Sequence, residues 1–443
     1  MSSEHVLVVG AGPAGATAAL ALARAGVTVR LLDRSKFPRN KPCGGGISAR
    51  ALVRFPYLEA GLSRISTHWL SRLRLEGPNG ASTLVESERP AALMIRRLEF
   101  DALLVSLAVE AGAELITGAD IVQASQSETG DRFVTLVARD GGRFTSSVVI
   151  AADGVHSVIA RRLGIREAWP ATDVALDMME ETPRSVLRER DSSTLWVSYG
   201  CDPPSAPDLG AGTDSRVAHE GYAYVFPKRD HVNVGIGYVL EHYRHHVADA
   251  PYDLQRAFVG QLRARGMVEG ESARDHFTPF LIPVGGPLRR PGRGGVLLAG
   301  DAGGFVNALT AEGIYYAMVS GELAARAVIE TPAHATSPLA ARYARACQAE
   351  LGTELRESVF IRHALFANRR RIAQVIHGAV TSPALTQKIV GLALGQVPYS
   401  ELRRHLLTRT PLFALCVAWE RLRRWATFPT AAATTARSTV ETH

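Results

Sequence analysis

The chain has 443 residues, 46% hydrophobic and 21% charged, which excludes a disordered polymer and is too long for one compact core, so two domains or one with a large insertion are expected. Four cysteines, Cys43, Cys201, Cys347 and Cys416, share no CxxC spacing, which excludes a disulfide scaffold or cysteine zinc site and fits a reducing, cytoplasmic setting. The net charge of +7 is uneven: residues 361–425 hold eleven Lys and Arg against two acids, which suggests an anionic surface or ligand there, with membrane phospholipid and nucleic acid both candidates.

The N-terminus has no basic signal-peptide region and enters a strand at once; no apolar run reaches the ~18 residues of a membrane span. Val6 to Val9, an Ala-rich helix from about Pro13 to Ala25 and a strand from Val27 to Leu32 read as a βαβ unit. A helix is expected from Arg97 to Ala111, and apolar strands from Ser147 to Ala152 and Val296 to Ala299, both running into Gly or Asp turns.

The fold expected is α/β: a Rossmann-like dinucleotide-binding domain (1–65, 96–165 and 284–330) with an inserted antiparallel-sheet substrate domain (66–95 and 166–283). The insertion's strands include Leu195–Tyr199, Tyr222–Phe226 and Val232–Ile236. The chain becomes helical from Ile314: a helix at Ile314–Glu330 ends the first domain, and a helical C-terminal region follows over 331–427, with helices at Leu339–Phe366, Arg371–Val380, Pro383–Leu394 and Leu412–Arg424. Pro203–Ser215 reads as a surface loop and residues 428–443 as a disordered tail.

The first turn is Gly10-Ala11-Gly12-Pro13-Ala14-Gly15. Gly10 allows the tight turn, Gly12 a close approach to a pyrophosphate, and Gly15 the packing of helix on strand. Asp33, with Arg34 beside it, ends the second strand at the spacing expected of a ribose-binding carboxylate.

Two further segments, Ala152-Asp153-Gly154 and Gly300-Asp301-Ala302, resemble nucleotide-contacting segments of the flavoprotein hydroxylase and reductase superfamily, and so turn the reading from a dinucleotide in general to FAD. The resemblance implies that Asp301 accepts a ribityl hydroxyl, that a helix beginning near Gly303 faces the pyrophosphate, and that Arg97 lies near the flavin.

Within that superfamily the chain resembles the geranylgeranyl reductases, which saturate isolated double bonds of isoprenoid chains. The likeness rests on Lys41-Pro42-Cys43-Gly44-Gly45-Gly46, on Tyr222-Ala223-Tyr224-Val225-Phe226-Pro227 followed by Val232-Asn233-Val234-Gly235, and on Gly300 to Gly321, including Glu312, Gly313 and Ile314. It covers about the first three quarters of the chain. Tyr224 replaces a usual Trp, Ala308 a usual Pro and Ala311 a usual Gly.

Reduction of an unactivated alkene needs it held against reduced flavin, with a proton donor at the second carbon. Gly44 and Gly45 let substrate approach, and the Cys43 thiol can donate. Tyr222, Tyr224 and Phe226 share one strand face and suit an isoprenoid wall, or equally an ordinary core. Cys43 can equally be a small packing residue, and Glu312 a helix cap.

The alternatives are an FAD-dependent monooxygenase or halogenase, and a non-catalytic isoprenoid carrier. With no second GxGxxG, NADPH or ferredoxin remains open as reductant. No metal site and no nucleic-acid module is read, and the oligomeric state is unspecified.

Overall fold

A computed structural model describes residues 5–78, 80–88, 90–126, 133–204, 221–331, 338–366 and 368–393, with 397, 398, 400, 401 and 404. The expected Leu412–Arg424 helix, the tail and nearly all of the 203–215 loop lie outside the described residues.

Four consecutive buried residues, Val6–Val9, form the central strand of a six-stranded sheet. It lies parallel to Val29–Asp33 on one side and to Val149–Ala151 on the other. Glu114–Thr117 closes the first side; Val296–Leu298 and the antiparallel edge Gly292–Arg293 close the second. The strand order reverses around Val6–Val9, which opens a crevice at its C-terminal end.

Helix Pro13–Arg24 leaves that crevice and packs against helix Ile314–Ile329, while helix Arg97–Glu110 covers the same core. The two former helices approach so closely that a Cβ on Gly321 would lie 2.1 Å from the Ala14 carbonyl oxygen. The turn at Gly300–Gly303 is a single short one. Gly304, at φ +75°, ends it, and the long helix begins only at Ile314, which corrects the expected helix start near Gly303.

The second sheet has seven strands, in the order Phe277–Pro283, Val174–Pro183, His231–Val239, Gly221–Pro227, Thr194–Tyr199, Arg72–Glu76 and Ser82–Glu86. Every pair is antiparallel except Arg72–Glu76 with Thr194–Tyr199, which come from the two separate stretches of the insertion. Helix Pro251–Ala264, not foreseen, covers one face with Leu254, Phe258 and Leu262 packed on Val225, Val234 and Ile236.

The other face looks toward the first domain and the C-terminal helices. The expected single helix from Leu339 to Phe366 contains a π-turn at Gln348–Gly352, and two more helices follow at Arg369–Thr381 and Pro383–Ala393. Ile372 and Phe366 close on this face beside Leu73 and Val197.

The close helix pair predicts that Gly321→Ala destabilises by roughly 1–3 kcal/mol, because the helices must separate. In contrast, Gly260→Ala, in a helix where an added Cβ meets nothing within 4 Å, should stabilise by roughly 0.5–1 kcal/mol. Thermal unfolding of the two variants checks both signs.

Candidate active site

A cavity of about 690 Å³, within the ~300–1,000 Å³ of ligand sites, runs from the glycine turn at Gly10 and Gly12, past Cys43, to Tyr222 and Phe366. Its two ends differ in chemistry, and each follows from local structure.

At the first end Gly10 has φ +94°, and a Cβ there would sit 2.3 Å from the Ala152 carbonyl oxygen, so only glycine fits. Gly15 is held as tightly, with a Cβ 1.8 Å from the Gly10 carbonyl oxygen, and does not itself line the cavity. Asp33, buried, accepts the Ala11 N–H at 2.7 Å and the Ser35 N–H at 2.8 Å, tying the turn to the second strand.

Helix Pro13–Arg24 has no side-chain cap and no acid in its first turn, so its amides are open to an anion. Arg97 makes a two-pronged bond to Asp101 at 2.6 and 2.7 Å, and Arg39 meets the same buried carboxylate at 3.0 Å. A Cβ on Gly12 would still lie 3.7 Å from Arg39 Nη2 and 3.9 Å from Arg97 Nη2. Against the cost of burial, Asp101 and the neighbouring Cys43 sulfur hold Arg97 firmly charged.

Two guanidiniums and a helix N-terminus around bare backbone make a cradle for a pyrophosphate. Asp153, whose carboxyl is raised by burial and whose Oδ1 has no hydrogen-bond partner among the described residues, lines the same end with Gly154, Arg34, Gly300 and Asp301. These groups fit the phosphates and hydroxyls of FAD.

Pro13, Ala14, Gly313 and Ile314 also line the cavity. Glu312, a possible cap in the sequence, is instead a bridge: Ser48 Oγ donates to it at 2.8 Å and Arg50 at 3.0 Å. Ala311 takes φ +55°, a left-handed conformation that favours the glycine it replaces.

Between the ends lies the Cys43 segment. Gly44 passes so near the aromatic wall that a Cβ would be 2.9 Å from the Phe226 ring. Gly45 has φ +76°, and a Cβ there would be 2.1 Å from the Ile95 carbonyl oxygen. The Cys43 Sγ accepts the Gly45 N–H at 3.4 Å, and Asn233 Nδ2 donates to the Cys43 carbonyl at 3.1 Å. Beneath it Lys228, 2% exposed, pairs with Glu181, which Arg96 also meets at 2.8 Å. Although burial opposes it, these two cations hold the Glu181 carboxylate below its ordinary range.

At the second end Tyr222, Tyr224 and Phe226 stand in a row, with ring centroids 5.6 and 4.5 Å apart, and all three line the cavity. Pro227 does not: it follows Phe226 in the strand, so its side chain takes the opposite face, and it is absent from the lining. The Tyr224 hydroxyl donates to Asp177 Oδ2 at 2.9 Å.

Asp177 was not foreseen. It is 5% exposed, lines the cavity from strand Val174–Pro183, and keeps Oδ1 without a hydrogen-bond partner among the described residues. Burial pushes its carboxyl up to about 7, opposed by the Tyr224 bond and the Lys41 charge. Lys41 Nζ lies 5.1 Å from the centre of the Phe280 ring, and burial with the Arg97 charge pushes that ammonium down.

The model of the FAD binding domain family matches residues 3–231, more than half of the chain. A digeranylgeranylglycerophospholipid reductase of Methanocella arvoryzae is 32% identical over 339 residues, 73% of this chain and 77% of the relative. The chain belongs to the geranylgeranyl reductase family of FAD-dependent oxidoreductases.

Other members of this reductase group are equally near. A menaquinone reductase of Mycobacterium tuberculosis strain H37Rv is 33% identical over 340 residues, covering 73% of this chain and 76% of its own. Among solved structures, a geranylgeranyl bacteriochlorophyll reductase-like protein of Thermoplasma acidophilum superposes with a TM-score of 0.73 at 20% identity, covering 91% and 98% of the two chains, so that likeness is one of fold. Among the described residues, no helix is long and apolar enough to cross a membrane.

Asp33→Ala removes the acceptor that fixes the glycine turn. Since hydrogen bonds to charged groups contribute ~1.5–3 kcal/mol, FAD affinity should fall about 10- to 100-fold. Titration of the flavin-free protein with FAD measures it.

Proposed function

We propose that this FAD-dependent oxidoreductase saturates carbon–carbon double bonds of a geranylgeranyl or polyprenyl chain carried on a lipid, quinone or diphosphate. The observation that carries the reading is the continuity of the cavity: one chamber joins a cradle of arginines and helix amides to a wall of Tyr222, Tyr224 and Phe226, with Cys43 between. When bound and reduced, FAD supplies the hydride.

The chain's own part is to place and enclose. Gly44 and Gly45 keep the partition thin, so that an alkene can reach the cofactor end without a side chain intervening. Asn233 fixes the Cys43 carbonyl, and with it the line of that partition. The aromatic row and Phe366 exclude water from an apolar chain, a requirement of hydride chemistry at an unpolarised double bond. Two relatives, by name a menaquinone reductase and a digeranylgeranylglycerophospholipid reductase, act on lipid-like molecules and support this substrate class.

Under anaerobic conditions the dithionite-reduced protein should be reoxidised by a geranylgeranyl lipid, with a mass gain of two per reduced bond. Reoxidation by oxygen alone, with an oxygenated or halogenated product, overturns the reading. Cys43→Ala and Cys43→Ser should both lower turnover while FAD stays bound; unchanged turnover shows that the thiol has no part in the reaction.

A further inference from the structure

Strand His231–Val239 turns Asn233, Gly235 and Gly237 toward the cavity, opposite Phe226, Tyr224 and Tyr222 on one side and Glu181, Met179 and Asp177 on the other. The two glycines have no side chains, and their neighbours lean over them. A Cβ on Gly235 would lie 2.4 Å from Tyr224 Cζ, and one on Gly237 would lie 3.1 Å from Asp177 Oδ1. The space that the glycines leave is filled by a hydroxyl–carboxyl pair, with the second carboxyl oxygen buried and, among the described residues, without a hydrogen-bond partner.

We propose that Asp177, oriented by Tyr224, is the acid that protonates the second alkene carbon. The inference rests on the reductase reading above. In the step, the hydride from reduced FAD forms one C–H bond, the alkene π-bond breaks, and its electron pair takes the Asp177 proton to form the other C–H bond. Flavin is oxidised by two electrons, the alkene is reduced by two, and Asp177 is left as a carboxylate to be reprotonated from solvent.

Asp177 suits this role better than the thiol. The Cys43 sulfur already accepts an N–H, and Lys41, Arg97 and Lys228 are close enough to interact with it electrostatically. The titratable and charged groups that face Asp177 are Tyr224 and Tyr222, which reach it across Gly235 and Gly237 of the intervening strand, and Lys41; Cys43 and Arg362 line the same cavity. Its carboxyl, raised to about 7, keeps its proton up to neutrality, whereas an ordinary Asp loses it at about pH 4.

The test uses the FAD-loaded protein and two variants. Asp177→Asn keeps the acceptor for Tyr224 and should slow prenyl reduction about 100-fold or more, since general acids contribute ~10²–10⁴-fold. Wild-type turnover should fall as pH rises through neutrality, and Tyr224→Phe, which removes a bond favouring the carboxylate, should move that fall to higher pH.

Independently of turnover, infrared difference spectra of wild type between pH 6 and pH 8 should contain a protonated-carboxyl stretch that Asp177→Asn abolishes. If wild type reduces no prenyl lipid, the reaction assigned above fails. If wild type is active and Asp177→Asn matches it in rate and pH profile, only the donor assignment fails; absence of the carboxyl band overturns that assignment whatever the turnover.

Discussion

The reaction chamber depends on one close approach: the Tyr224 ring lies where a side chain at position 235 would have to be. Gly235 and Gly237 weaken their own strand, because glycine in a strand interior carries an entropic cost and offers nothing to pack. What they permit is an aromatic row set low enough to meet the Cys43 segment, which in turn is thin because Gly44 would otherwise strike Phe226. Bare backbone on both segments thus makes room for the same aromatic row, Gly235 under the Tyr224 ring and Gly44 against the Phe226 ring.

The electrostatics follow the same division. Toward the glycine turn, Arg39 and Arg97 share Asp101, leaving surplus positive charge beside a helix N-terminus, a setting for phosphates. Beside the partition, Glu181 pairs with the buried Lys228 and with the partly exposed Arg96. Toward the apolar arm the only carboxyl facing the cavity from strand Val174–Pro183 is Asp177, and burial there favours its neutral form. The chamber thus offers positive charge at one end and, at the other, a carboxyl whose neutral form is favoured by burial.

The cofactor half was legible in the sequence because its constraints act on backbone. A positive φ at Gly10 and contacts too tight for a Cβ at Gly15 leave glycines at fixed spacing, and strand alternation put Tyr222, Tyr224 and Phe226 on one face. Asp177 was not legible: its neutral form depends on burial created by strands far apart in the chain, and an Asp within an apolar stretch carries no spacing signal. Arg39 lies in irregular chain, and only the fold reveals that it shares Asp101 with Arg97. The parallel pairing of Arg72–Glu76 with Thr194–Tyr199 and the π-turn at Gln348–Gly352 likewise arise from tertiary packing that periodicity does not record.

The most direct measurement of the central claim is a crystal structure of the protein loaded with FAD and a geranylgeranyl lipid. The account predicts the prenyl chain along Tyr222, Tyr224 and Phe226, with one double bond at the Cys43 partition and its second carbon facing Asp177. A lipid bound on the outer surface, or a chamber closed between Gly44 and Phe226 with FAD in place, would contradict it.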